Sequence, residues 1–200
     1  MSSWMNLSAR EWLAVSAGAS PAARGGGPAA AYTGALGASL VLRACERTLA
    51  SGGREAVAAD LEVACRDLQA LVERLGMQVD RAAQILETLA SAAGTEDLAL
   101  AHREATETFL DPFDACFAVL ETAQRAVDAV RPEDVAELGI GSDLAAASLE
   151  ALAICVRVSL PLVGDEKFTR PVKGRLVGTL HEARRLRDRI LQAVEGRLVL

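Results

Sequence analysis

Between Val57 and Leu89 apolar side chains recur every three or four residues, through Leu61, Ala64, Leu68, Leu71, Leu75, Val79, Ala82, Leu86 and Leu89. That is the period of one helical face, held for about nine turns, and it predicts a long bundle helix. Thr95 to Val130 repeats the pattern through Leu98, Ala101, Ala105, Phe109, Phe113, Phe117, Leu120 and Val127. Pro112 sits in its middle, where a kink or break near Leu110 is expected. Asp143 to Val163 is apolar on most sides, with Glu150 and Arg157 its only interior charges, which marks a central helix. A last stripe, Val172, Leu176, Leu180, Ala183, Leu186, Ile190, Val194 and Leu198, is backed by arginines.

Near the start, Ser8 and Glu11 form an S-x-x-E capping box that opens a short helix. Breaks are expected at Ser51-Gly52-Gly53, Gly94-Thr95, Arg131-Pro132, Gly139-Ile140-Gly141-Ser142 and Gly164-Asp165. None is long enough to be a domain linker, so residues 1–200 read as one all-α domain, an up-and-down bundle of long helices.

Composition narrows this further. The chain is 51% hydrophobic, 4% aromatic and 24% charged, with a net charge of −6, too apolar and too weakly charged for a disordered chain. Its alanine richness favours helices over sheet. A core poor in aromatic residues must gain its stability from close helix approach, or from an oligomer. In Gly25 to Leu42, which carries no charge, Ala30, Gly34 and Ala38 fall four apart and present a small-residue face. Burial between protein helices accounts for that segment without a bilayer, since Ala and Gly gain little in lipid. From Arg170 on, eight Lys or Arg face three Asp or Glu, a basic end on an acidic protein. With one Tyr and two Trp to stack on bases, nucleic acid is not expected as a partner. Cys45, Cys65, Cys116 and Cys155 lie far apart and read as buried thiols of a cytoplasmic protein. His102 and His181 have no ligand-spaced neighbour, so no metal is expected.

Three local features carry candidate chemistry. Arg24-Gly25-Gly26-Gly27-Pro28 precedes an apolar helix, and the glycines free backbone N–H groups to meet an anionic or polar ligand at a helix N-terminus. A flexible helix entry explains the same run. Ser142-Asp143 fits an N-cap followed by a first-turn acid, which is also a complete structural account. Asp80 is a lone carboxylate beside Val79 on the long helix.

Their order and spacing resemble the formiminotetrahydrofolate cyclodeaminase and methenyltetrahydrofolate cyclohydrolase family. The resemblance spans about Leu7 to Leu198. It rests on a short helix, a glycine turn, the Ala/Gly-rich helix Ala29 to Ala38, Asp80 in the next long helix, Pro112 in the one after, Ser142-Asp143, and the run Cys155-Val156-Arg157-Val158-Ser159-Leu160. Arg24 stands where the family has proline, Pro28 where it has serine, and Cys155 and Ser159 where it has asparagine. The resemblance implies an all-α, homodimeric enzyme acting on a tetrahydrofolate one-carbon adduct as substrate. Asp80 and Asp143 are then the catalytic carboxylates, while Arg24, Gly25, Gly26, Gly27 and Ser142 bind the ligand. Both family reactions pass through a tetrahedral carbon between two nitrogens, which a carboxylate serves by exchanging a proton and stabilising amidinium charge. Two other readings keep the fold: recruitment to a non-folate cyclisation or C–N reaction, and a non-catalytic helical interaction module. Few aromatic side chains are available to stack on a flat pteridine ring.

Overall fold

The computed structural model describes residues 3–18, 25–52 and 55–198. After a 3₁₀ turn at Trp4–Asn6 come helices α1 (Ala9–Ala17), α2 (Gly26–Ala50), α3 (Glu55–Ser91), α4 (Thr95–Ala126), α5 (Val135–Ser159) and α6 (Glu166–Glu195), with a second 3₁₀ turn at Leu160–Leu162. No strand occurs among the described residues.

Helices α2, α3, α4 and α5 form an antiparallel four-helix square in chain order, with α2 closing back on α5, and α6 lies outside against α5 and α4. The long stripes read from the sequence supply the core: Leu61, Leu68 and Leu75 of α3, Phe113 and Leu120 of α4, and Leu149 and Leu152 of α5 are all buried. Ser8 and Glu11 make the reciprocal capping box, the Ser8 Oγ accepting from the Glu11 N–H at 3.3 Å and Glu11 accepting from the Ser8 N–H at 2.7 Å. The turns at Gly52, Gly94 and Gly164 take positive φ, a conformation glycine adopts without strain.

The small-residue face works as expected. Ala30 and Ala38 are buried on α2, and a Cβ on Gly34 would lie 2.6 Å from Cys116 Sγ and 2.8 Å from Ser148 Oγ. One turn on, α2 and α5 touch backbone to backbone. A Cβ on Gly37 would lie 2.6 Å from the Gly141 carbonyl oxygen, and one on Gly141 would lie 2.6 Å from that of Gly37.

That contact explains the main departure from the sequence reading. Gly139-Ile140-Gly141-Ser142 is not a break but the second turn of α5, which begins at Val135. Gly139 admits Val194 of α6 and Gly141 admits α2, so both glycines serve packing within a helix. Ser142 is consequently no N-cap: it is buried, and its hydroxyl donates to the Leu138 carbonyl at 2.8 Å. Nor does Pro112 break its helix, for α4 runs continuously past it. Among the described residues, the one helix apolar and long enough to span a membrane is Val135–Leu162 rather than the Gly25 to Leu42 segment, and half of its most apolar window is buried in protein.

Behind the α4–α5 connection, Asp134 is fully buried between Arg47 at 2.9 Å and Arg131 at 3.0 Å. The Arg131 backbone N–H donates to Thr48 Oγ1, and the Arg197 guanidinium donates to the carbonyls of Val127 and Val130.

Candidate functional site

Asp80 lies half-buried on α3, one residue beyond Val79, which is fully buried against Trp12 and Ala31. Its carboxylate is held from the N-terminal side of the chain. Ser3 Oγ donates to Oδ2 and the Trp4 backbone N–H donates to Oδ1, each at 2.6 Å. Two partners leave part of an ionised carboxylate's roughly four acceptor positions free.

Around it gather the only Tyr and both Trp of the sequence. Trp12 stacks on Tyr32 at 4.9 Å between centroids, and Trp4 meets Trp12 edge-on at 5.2 Å. Next to this cluster Ala9, Trp12, Leu13, Ser16, Ala29, Tyr32 and Thr33 line an apolar cleft of about 300 Å³ between α1 and the start of α2. A low aromatic content thus conceals a local concentration: a flat ring has faces to meet at this one place.

The glycine turn adjoins the same end of the bundle, largely as part of α2. Gly25 occupies the N-cap position without a side-chain cap, and Gly26 and Gly27 are already helical. Gly25 backs onto Ser16, a residue of the cleft, and Gly27 makes room for the Phe109 ring. Gly26 alone is exposed, with nothing within 4 Å of where a Cβ would stand. Arg24 lies outside the described residues. The first-turn N–H groups of α2 are donors without intrahelical partners, so this end of the bundle suits a polar or anionic group.

Asp143 does not join this site. It projects from α5 toward α6, where the Arg187 Nε donates to its Oδ1 at 2.6 Å. That hydrogen bond raises the Arg187 pKa further above its ordinary value, so the guanidinium keeps its charge and Asp143 keeps its partner. Asp143, Glu150, Arg184 and Arg187 rim a groove of about 570 Å³ floored by Ala146, Leu149 and Ala183. Glu150 accepts from Arg184 at 2.9 Å there. The two candidate carboxylates therefore sit in separate surroundings, Asp80 against the N-terminal segment and Asp143 against α6.

Sequence reasoning passed over Gln78. It occupies a core position on the Leu71, Leu75, Ala82 stripe, is 4% exposed, and its Oε1 has no hydrogen-bond partner among the described residues. A polar residue at a stripe position was the available signal, since a buried acceptor left open is costly without a partner. Among the described residues no group of three His, Cys, Asp or Glu is placed to hold a metal ion. Burial pushes the thiols up, to about 12 for Cys45 and Cys116 and about 11 for Cys65, so none is a ready nucleophile near neutral pH.

Known proteins share this architecture. The chain resembles, at 26% identity over 186 residues, a methenyltetrahydrofolate cyclohydrolase of Methylorubrum extorquens, covering 87% of this chain and 89% of that protein. Its fold matches the crystal structure of a formiminotetrahydrofolate cyclodeaminase from Thermotoga maritima with a TM-score of 0.82 over 96% of each chain, at 19% identity. The Formiminotransferase-cyclodeaminase family pattern is matched by residues 8–177, from the capping-box serine well into α6, and the chain belongs to that family.

Proposed function

We propose that this protein is a cytoplasmic enzyme of the cyclodeaminase/cyclohydrolase type, acting on formimino- or methenyltetrahydrofolate or on a related amidine or imine, with Asp80 as its acid/base. The observation that carries the reading is the meeting of Asp80, the Trp4–Trp12–Tyr32 cluster and the open N-terminus of α2 at one end of the bundle. Family membership and the cyclohydrolase relative support the substrate class.

In the hydrolytic direction water adds to the cationic methenyl carbon, one C–N bond opens, and a proton passes from the attacking water to the departing ring nitrogen. In the deaminating direction a ring nitrogen adds to the formimino carbon and ammonia leaves. Either course needs a group that takes a proton at one side of the tetrahedral carbon and returns it at the other. Asp80, held by Ser3 and Trp4 with acceptor capacity to spare, has the chemistry for both steps. Trp12 and Tyr32 offer the ring a face and the Gly25 to Gly27 N–H groups offer it donors. Asp143, paired with Arg187 in the separate groove toward α6, takes no part in this chemistry.

The test is loss of methenyltetrahydrofolate absorbance on incubation with the protein. Asp80→Asn should slow it by roughly a hundredfold or more, the usual contribution of a positioned acid/base. An unchanged rate removes Asp80 from the mechanism. Thermal stabilisation by folates but not by unrelated small acids supports the folate reading over recruitment to another C–N reaction, and the reverse pattern supports recruitment.

A further inference from the structure

The Asp80 carboxylate is steered by a piece of chain that lies outside the four-helix square. Ser3 Oγ and the Trp4 N–H each bond a different oxygen of it, both at 2.6 Å. Among the described residues no Lys or Arg pairs with Asp80, so these two bonds fix the plane in which its lone pairs point. The Ser3 hydroxyl has a second task. It also accepts from the Met5 N–H at 3.2 Å, so that it caps the Trp4–Asn6 turn while tying that turn to α3. Met5 rests on α3 as well, its Cε standing 3.7 Å from where a Cβ on Gly76 would be. Trp4 and Leu7 pack on the cluster whose buried members are Trp12, Ala31 and Val79, and Val79 directly precedes Asp80. The Trp4 ring meets Trp12 edge-on, and Trp12 stacks on Tyr32 beside the apolar cleft. One hydroxyl therefore links the carboxylate to the rings.

We propose that Ser3 is a positioning residue for Asp80, and that the Trp4–Asn6 turn is a clamp joining the direction of the carboxylate to the placement of the aromatic face. The positioning role rests on Asp80 being the acid/base of the proposed reaction, whereas the clamp does not. The physical reason is geometric. A carboxylate bonded at both oxygens is held against rotation about Cβ–Cγ, and with the Trp4 N–H as its one remaining donor it is free to turn. Proton transfer needs an acceptor lone pair within hydrogen-bond reach of the water or nitrogen it serves, so lost alignment lowers the rate without weakening the hold on the ring. A ring lying on Trp12 and Tyr32 rests against the same turn that aims Asp80, which keeps the reacting carbon and the carboxylate in one register. Position 3 accordingly calls for a short side chain that donates and accepts at once. Alanine loses both contacts. Aspartate keeps an acceptor for the Met5 N–H but sets a second negative charge against Asp80, and threonine retains the hydroxyl.

Steady-state loss of methenyltetrahydrofolate absorbance and near-UV circular dichroism, both on the full chain, test the two parts. Ser3→Ala should lower kcat by about tenfold or more with KM held within about twofold, and Ser3→Thr should recover most of that loss. Without substrate, Ser3→Ala, Ser3→Asp and Asp80→Asn should each diminish the near-UV dichroism of the Trp and Tyr rings, while the far-UV spectrum stays that of the parent. An unchanged kcat in Ser3→Ala overturns the positioning role. So does a rise in KM alone, which makes Ser3 a binding group, or a faster enzyme, which makes the turn a block. If the parent protein does not consume methenyltetrahydrofolate, the reaction proposed for that substrate is refuted and the ring signals decide the clamp by themselves. A near-UV spectrum indifferent to all three substitutions overturns it.

Discussion

Replacing Gly141 by alanine tests whether the α2–α5 contact organises the bundle. The added methyl would stand 2.6 Å from the Gly37 carbonyl oxygen, 2.8 Å from Val41 Cγ2 and 2.9 Å from the Val41 backbone nitrogen. Two of these atoms are backbone and cannot turn aside, so the helices must part by something near 0.8 Å to restore ordinary contact. A gap of that size forfeits about a quarter to a half of the dispersion energy of the atoms facing it. Overpacking of this kind costs about 1–3 kcal/mol and more where backbone must move, while alanine's better helix propensity returns about 1 kcal/mol. Because backbone must move here, the cost is about 3–4 kcal/mol and the net loss about 2–3 kcal/mol, which lowers the Tm by roughly 4–12 °C in a chain of this size. Gly174→Ala is the internal control. That glycine lies exposed on α6 with nothing within 4 Å of its missing Cβ, so only the propensity gain of up to about 1 kcal/mol remains. Urea unfolding followed by far-UV circular dichroism measures both. If Gly141→Ala is as stable as the parent while Gly174→Ala is stabilised, the close backbone contact is refuted.

Asp134→Ala should destabilise by about 2–4 kcal/mol in the same assay, because Arg47 and Arg131 lose a fully buried partner, although both are exposed enough to regain water. Asp143→Asn should change stability by less than about 1 kcal/mol, since it and Arg187 are both nearly half exposed; a large loss would mean that the pair does structural work. The thiols predict a decline at high pH. Their folded pKa values of about 11 to 12 lie above the ordinary 9.0, so the stability they contribute is complete below pH 9 and is lost as pH rises from there through about 12. Chemical unfolding across that range, compared with a Cys45→Ala and Cys116→Ala variant, checks it; equal pH dependence in the two proteins would contradict the assignment.

The covalent pattern of the chain determined a good deal. Three-four spacing set the long helices, the Ser8–Glu11 pair set the first cap, and the Ala30, Gly34, Ala38 face announced close packing, because each depends on residues within a turn or two of one another. Tertiary structure decided the rest. Gly139 and Gly141 read as a break because glycine lowers helix propensity by about 1 kcal/mol, yet α2 and Val194 approach there and burial outweighs the local preference. Asp80 and Asp143 read as one site from their order along the chain, but they fall against different elements. The partners that define Asp80, Ser3 and Trp4, lie 77 and 76 residues away, and no period along a helix encodes a contact at that distance. Sparse aromatic residues argued against a stacking ligand until the fold brought Trp4, Trp12 and Tyr32 together. Composition records how many such rings a chain has, whereas a binding site depends on how many meet.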